Sequence, residues 1–164
     1  MNIQQCWRTF QKAQQLLEQG HWPEAHCLLE DVLHYIPFHI NEALCKEEVE
    51  VCQFIALIST LRDASIAQSQ ILLKMGRQQC AFEVLNQSYC EFQFISIEEC
   101  PLILKALSVL NKYSDDLVLH IGQLCVSQRS ATWMLEFDTL QKSHHYFNQI
   151  RTASGRQTHC HTLN

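Results

Sequence analysis

Gly20 and Pro23 interrupt an otherwise continuous helical pattern, and this interruption constrains the fold more than any other feature of the chain. Before it, Ile3, Cys6, Trp7, Phe10, Ala13, Leu16 and Leu17 recur at steps of three and four, the spacing that lines one face of an α-helix. After it, Trp22, Ala25, Leu28, Leu29, Val32 and Ile36 do the same. A glycine supplies the left-handed residue that stops a helix, and a proline suits the first turn of the next, where a missing N–H costs little. With four glycines and three prolines in 164 residues, the chain has few such places to turn. The stretch LLEQGHWPEAHCLLEDVLHYIP, Leu16 to Pro37, therefore reads as an antiparallel helical hairpin, with Pro37 just past its second helix.

Punctuation of the same kind predicts the remaining elements. Asn41 caps a third helix to about Leu61, whose broad apolar face implies burial on more than one side. Asp63 caps a fourth to Met75, Gly76 breaks it, and a fifth runs from Gln78 to about Cys90. CEFQFISIEE, Cys90 to Glu99, alternates like a strand but has no partner strand, so it is expected to be an extended connection. Pro101 opens a sixth helix to about Asn111, Ser114 caps a seventh through Val126, and Ser130 caps an eighth to about Ile150. The expectation is an all-α domain of about seven or eight helices over residues 1–150. Residues 151–164, which lack apolar periodicity, are expected to form a flexible tail.

The first hairpin carries a spaced set of residues: Gly20 at the turn, Trp22 two residues on, Glu24-Ala25, Leu29 four residues after the alanine, and Pro37. Over residues 6–39 this resembles the tetratricopeptide repeat, TPR, a 34-residue helix–turn–helix unit. It departs from that pattern at Thr9, Lys12 and Ala13, and Leu16 stands where a tyrosine is usual. A second copy over about 62–95 carries Leu72, Leu73, Gly76, Ala81 and Leu85, and LNKYSDDL is a third trace, with Asn111 at the turn. Gly20 and Gly76 are 56 residues apart, one repeat plus 22, so an extra helix at 41–61 is expected between the copies. The resemblance implies antiparallel hairpins stacked as a short, irregular TPR-like superhelix.

TPR-like domains bind segments of other proteins along a concave face lined by the first helix of each repeat. Carried onto this chain, the resemblance implies a partner-binding groove of Trp7, Phe10, Gln14, Leu17 and Glu18 from the first repeat. The second would add Ile66, Gln70, Leu73 and Lys74. Phe10 and Gln14 stand where a carboxylate-clamping subgroup has Lys and Asn, so the clamp is absent and an apolar or amphipathic ligand is implied. Trp7 and Phe10 also fit the core of the first hairpin. In length, charge and repeat type the chain resembles small chaperones that hold secretion translocator proteins. The functional expectation is a non-catalytic adaptor or chaperone whose partner is a protein or peptide; an uncovered end of the stack makes a homodimer a further expectation.

A net charge of −5, with both signs interspersed, argues against a nucleic-acid or anionic-membrane partner. No apolar run approaches a membrane span. Nine cysteines without a C-x-x-C pair fit neither a zinc module nor a redox motif, so most are expected as small buried hydrophobes in a reducing cytoplasm. No nucleophile elbow, P-loop, dinucleotide-binding or H-E-x-x-H motif occurs, and no cofactor is implied. His21, His26, His34 and His39 are expected at the surface or at an interface. The alternative reading is a metal- or redox-responsive helical protein using His159, Cys160 and His161, with His144 and His145 about 100° apart on a helix.

Overall fold

In the computed structural model, residues 1–46 and 48–159 are described, with side chains through Ile150. They form six helices and, among the described residues, no strand: α1 (Ile3–Glu18), α2 (Trp22–Leu44), α3 (Val51–Lys74), α4 (Gln78–Ser96), α5 (Pro101–Ser127) and α6 (Ala131–His159). The chain divides into two compact units, Met1–His120 and Ile121–Asn164. In the first, α1 packs on α2, α2 on α3, and α3 on α4.

Both predicted glycine turns form, and they share one geometry. Gly20 has φ +81° and Gly76 φ +73°, in the left-handed region that an L side chain enters at a cost. After α1, the Gly20 amide donates to the Leu17 carbonyl (3.1 Å) and His21 to Leu16 (2.8 Å). After α3, Gly76 donates to Leu73 (3.0 Å) and Arg77 to Leu72 (2.8 Å). These paired bonds satisfy carbonyls that a helix end otherwise leaves open. Beyond each turn Ala25 and Ala81 are fully buried, followed by buried Leu29 and Leu85, then Ile36 and Phe92.

Between those turns the chain departs from the sequence reading. Pro37 does not end α2; it lies within it. Loss of the bond to the Leu33 carbonyl and the ring's clash with the preceding turn cost about 3 kcal/mol or more. Beyond the proline, Ile40, Ala43 and His39 are buried, and Ile40 alone returns about 1.5–3 kcal/mol. No separate helix spans 41–61. Instead α2 is lengthened to Leu44, and α3 begins at Val51 and runs without a break to Lys74. Asp63 caps nothing; its carboxylate accepts from Arg62 Nε at 2.8 Å in mid-helix. Eleven of the 24 residues of α3 are buried, including Phe54, Ile58, Leu61, Ser65 and Gln68, so it is the central helix of its unit, but the broad face expected over 41–61 is not the buried one: Cys45 and Cys52 are exposed.

The strand-like segment is also helical, because α4 continues to Ser96. Its alternation divides between the two faces of a helix: Phe92 is fully buried, and Phe94, two residues on, is 67% exposed. Likewise α5 passes through Asn111 and Ser114, so the third trace has no turn and Ser114 is a buried helical residue, not a cap. Six helices stand where seven or eight were expected because two pairs of them fuse. Polar bridges join the layers: Ser65 Oγ lies 2.6 Å from Ser88 Oγ between α3 and α4, and Gln68 Nε2 donates to His26 Nδ1 (2.6 Å) between α3 and α2.

In the second unit, the end of α5 meets α6 through a turn at Arg129, a non-glycine residue at φ +49°. Gly122 there faces the Phe137 ring so closely that a Cβ would lie 2.5 Å from its Cζ. α6 extends backbone helix to His159, into the segment expected as a tail; side chains from 151 onward, and residues 160–164 entirely, lie outside the described residues. Among the described residues, no helix is long and apolar enough to cross a membrane.

Candidate interaction groove

A cavity of about 910 Å³ lies in the first unit between α1 and the N-terminal half of α3, floored by the C-terminal part of α2. Its α1 wall is Ile3, Gln4, Trp7, Arg8 and Gln11, residues at helical spacing. Its α3 wall is Gln53, Ala56, Leu57 and Thr60; Ile36, His39, Glu42 and Ala43 come from α2, and Lys46 from the connection that follows it. Val49 closes one end.

Capping holds the walls in register. Asn2 Oδ1 accepts from the Gln5 amide (2.9 Å), and Gln5 Oε1 accepts from the Asn2 amide (3.0 Å), so α1 starts at a reciprocal capping box. At the start of α3 the Glu50 amide donates to Gln53 Oε1 (3.3 Å). Buried His39 on α2 donates from Nε2 to the Met1 carbonyl (3.0 Å), tying the segment before α1 to the floor; its Nδ1 faces Glu42 Oε2 at 3.5 Å.

Charge on the rim is uneven. Lys46 donates to Glu42 at 2.6 Å, and this hydrogen bond, with a further contribution from His39, holds the Glu42 carboxyl below its ordinary range. Arg8 is exposed and makes no ion pair among the described residues. Among the described residues, the groove thus combines apolar side chains with one cation, Arg8, that has no ionic partner.

Of the residues expected to form a groove, Trp7 lines this cavity, its indole 43% exposed. Phe10 is core at 4% exposure, with its ring centroid 6.2 Å from that of Trp7. Gln14 and Glu18 are exposed and Leu17 half-buried, farther along α1 than the cavity reaches. On α3, Ile66 and Leu73 are half-buried and Gln70 is exposed. Lys74 is engaged elsewhere, its ammonium 3.2 Å from the centroid of the Trp22 ring. The lining from α2 and from the first half of α3 was missed because the reading ended α2 at Pro37 and began the second repeat near residue 62. Asn2-x-x-Gln5 carries the sequence signature of a capping box, and Glu50-x-x-Gln53 repeats its Gln at the third position.

The remaining candidate chemistry is sparse. Among the described residues, no three His, Cys, Asp or Glu side chains are placed to hold a metal ion. His144 and His145 pair separately, with Asn148 (3.2 Å) and Gln149 (2.8 Å). The side chains of His159, Cys160 and His161 lie outside the described residues. Eight described cysteines are free, but Cys6 and Cys125 alone among them are buried, and Cys27, Cys45 and Cys52 are exposed, contrary to the expectation of mostly buried thiols. Burial raises the thiol pKa of Cys6, Cys90 and Cys125, with Glu136 adding to the last, which disfavours a reactive thiolate at each. His39 is buried where a surface or interface histidine was expected. No protein-family model, curated protein or solved structure matches the chain.

Proposed function

We propose that this protein is a non-catalytic interaction module, an adaptor or chaperone built as a short and irregular TPR-like stack. Its partner is an apolar or amphipathic segment of another protein, held in the groove between α1 and α3. The observation that carries this reading is the cavity itself, in which half-exposed Trp7 and Ile3 of α1 stand over buried Ile36, Ala43 and Leu57 of α2 and α3. Exposed aromatic and aliphatic side chains gathered at a concave surface suit a contact site. Aromatic anchors in such pockets carry much of the energy of an interface.

The TPR-like part of the proposal is supported by the two hairpins α1–α2 and α3–α4. Their turns share one hydrogen-bond pattern at a separation of 56 residues, and buried Ala25 and Ala81 take the close-packing position in each. The groove lies between the first helices of the two hairpins, the place where the repeat architecture presents its ligand surface. The second hairpin departs from the family spacing through the longer α2 and α3, and no third hairpin follows at Asn111. A cytoplasmic site of action agrees with the free thiols and the absence, among the described residues, of a membrane-spanning helix.

Site-specific photocrosslinking in cells tests the proposal. A photoreactive phenylalanine analogue placed at Gln4 or Gln53 is expected to form discrete protein adducts, whereas the same analogue at exposed Asp31 on α2 is expected to form none. Trp7→Asp should abolish the adducts from both groove positions. Adducts that survive Trp7→Asp, or that form equally well from Asp31, rule out the groove.

A further inference from the structure

Resting on that reading, we infer that the segment taken by the groove is an amphipathic helix that sets a carboxylate beside its apolar stripe, and that Arg8 pairs with this carboxylate. The argument begins with charge. The chain carries a net charge of −5, yet among the described residues the groove lining holds Arg8 and Lys46 against a single carboxylate, Glu42. Lys46 is consumed by Glu42 at 2.6 Å, which leaves the Arg8 guanidinium as the lining cation without an ionic partner among the described residues. It sits one residue from Trp7, on the same wall. A ligand that buries apolar side chains against Trp7 therefore brings its flanking residue to Arg8. A carboxylate there gains a charge-assisted and commonly bidentate bond, and a lysine there meets repulsion in a partly desolvated site.

The backbone chemistry of the walls selects helix over strand. The three walls are α-helices whose interior N–H and C=O groups are already paired, and Lys46 and Val49 come from the connection between α2 and α3, so among the described residues the groove has no sheet edge to extend. An extended ligand would leave peptide groups unpaired against the apolar side chains of Ile3 and Trp7, whereas a helical ligand satisfies its own. The α1 wall from Ile3 to Gln11 rises about 12 Å at 1.5 Å per residue, the length of roughly two helical turns. Two turns present apolar residues at i, i+3 or i+4, and i+7.

The test is a display selection with peptides of about 14 residues, apolar residues fixed at helical spacing, and flanking positions drawn equally from Glu, Gln and Lys. The library is selected in parallel on the wild-type chain, on Arg8→Glu and on Trp7→Ala, after circular dichroism has shown all three equally folded. Glu should enrich on wild type, Lys should replace it on Arg8→Glu, and neither should enrich on Trp7→Ala. Synthetic versions of the enriched peptides should bind wild type about tenfold more tightly than Arg8→Glu, measured by fluorescence polarisation. Enrichment that depends on Trp7 but shows no charge preference, or the same preference on Arg8→Glu, overturns this inference and leaves the interaction module standing. No enrichment on wild type above Trp7→Ala overturns both. Sedimentation of the free protein adds one more outcome: a dimer that Trp7→Ala splits would mean that a second copy fills the groove, and would also overturn the inference.

Discussion

The guanidinium of Arg62, on α3, lies 3.9 Å from the centroid of the Tyr113 ring on α5, and its Nη1 reaches Asp116 Oδ2 at 3.2 Å. Tyr113 in turn donates from its hydroxyl to Ser59 Oγ (3.2 Å), so one arginine and one tyrosine fasten two helices of the first unit. The side chain of Arg62 is 19% exposed, which makes the stacked cation worth more than a surface ion pair, whereas half-exposed Asp116 adds little. Arg62→Ala should destabilise the protein by about 2 kcal/mol. Arg62→Lys should recover less than half of that, because an ammonium can neither stack as a plane nor fork between Asp63 and Asp116. Urea denaturation of the three proteins is the measurement; full recovery by lysine would show that charge alone matters there.

The matched turns make a paired prediction. A Cβ built on Gly20 or Gly76 meets no atom within 4 Å, so any cost of a side chain there comes from the backbone. Gly20→Ala and Gly76→Ala should each cost about 1–2 kcal/mol, and Gly→Asn less at either site, since asparagine tolerates the left-handed conformation. Thermal melts of the four variants check this. A difference between the two sites larger than the difference between Ala and Asn at one site would show that the turns are not energetically alike.

These turns were also the most legible part of the fold. Gly20 and Gly76 declare themselves because their φ values leave few alternatives to glycine, and Ala25 and Ala81 because each fits where little else does. Pro37, Asn111 and Ser114 misled for the opposite reason: each disfavours a helix locally by an amount that burial of its neighbours outweighs. Ser114 is fully buried inside α5 with its hydroxyl lacking a partner among the described residues, a placement no capping rule selects. The groove was half legible. Trp7 was named as a groove residue through the TPR resemblance, but its counterparts on α3 depend on where α3 begins. That start is set by the length of α2, a consequence of packing around Pro37 rather than of any motif. The uncompensated charge of Arg8 could be recognised only once Lys46 was seen to belong to Glu42.

Partial burial of Glu91 on α4 raises its carboxyl pKa, because desolvation disfavours the charged form. The sign of the linkage follows. With the folded pKa above the unfolded value of about 4.3, the folded state binds more protons in the window between them. The contribution of Glu91 to stability is therefore fully present below the unfolded pKa and lost as pH rises through the folded one. Glu91→Gln should raise the melting temperature at pH 7, where the wild type buries part of a charge, and the difference should vanish near pH 4. A variant that gained nothing at neutral pH would show that the Glu91 carboxylate reaches water in solution.

Gly122 carries the last prediction, confined to the second unit, where the end of α5 meets α6. Glycine inside a helix costs roughly 0.5–1 kcal/mol relative to alanine, so Gly122→Ala would ordinarily stabilise. Here the added methyl would stand 2.5, 2.9 and 3.2 Å from three atoms of the Phe137 ring. The ring must move to admit it, and overpacking of this kind costs about 1–3 kcal/mol. Gly122→Ala should therefore destabilise in the wild-type background. In a Phe137→Leu background, where the ring edge is gone, the same substitution should be neutral or stabilising. The coupling between the two changes, read from a double-mutant cycle by chemical denaturation, is expected to be about 1–2 kcal/mol and favourable. Additive effects would mean that the two side chains are not in contact, and that the close approach of α5 and α6 at Gly122 is not what holds this unit together.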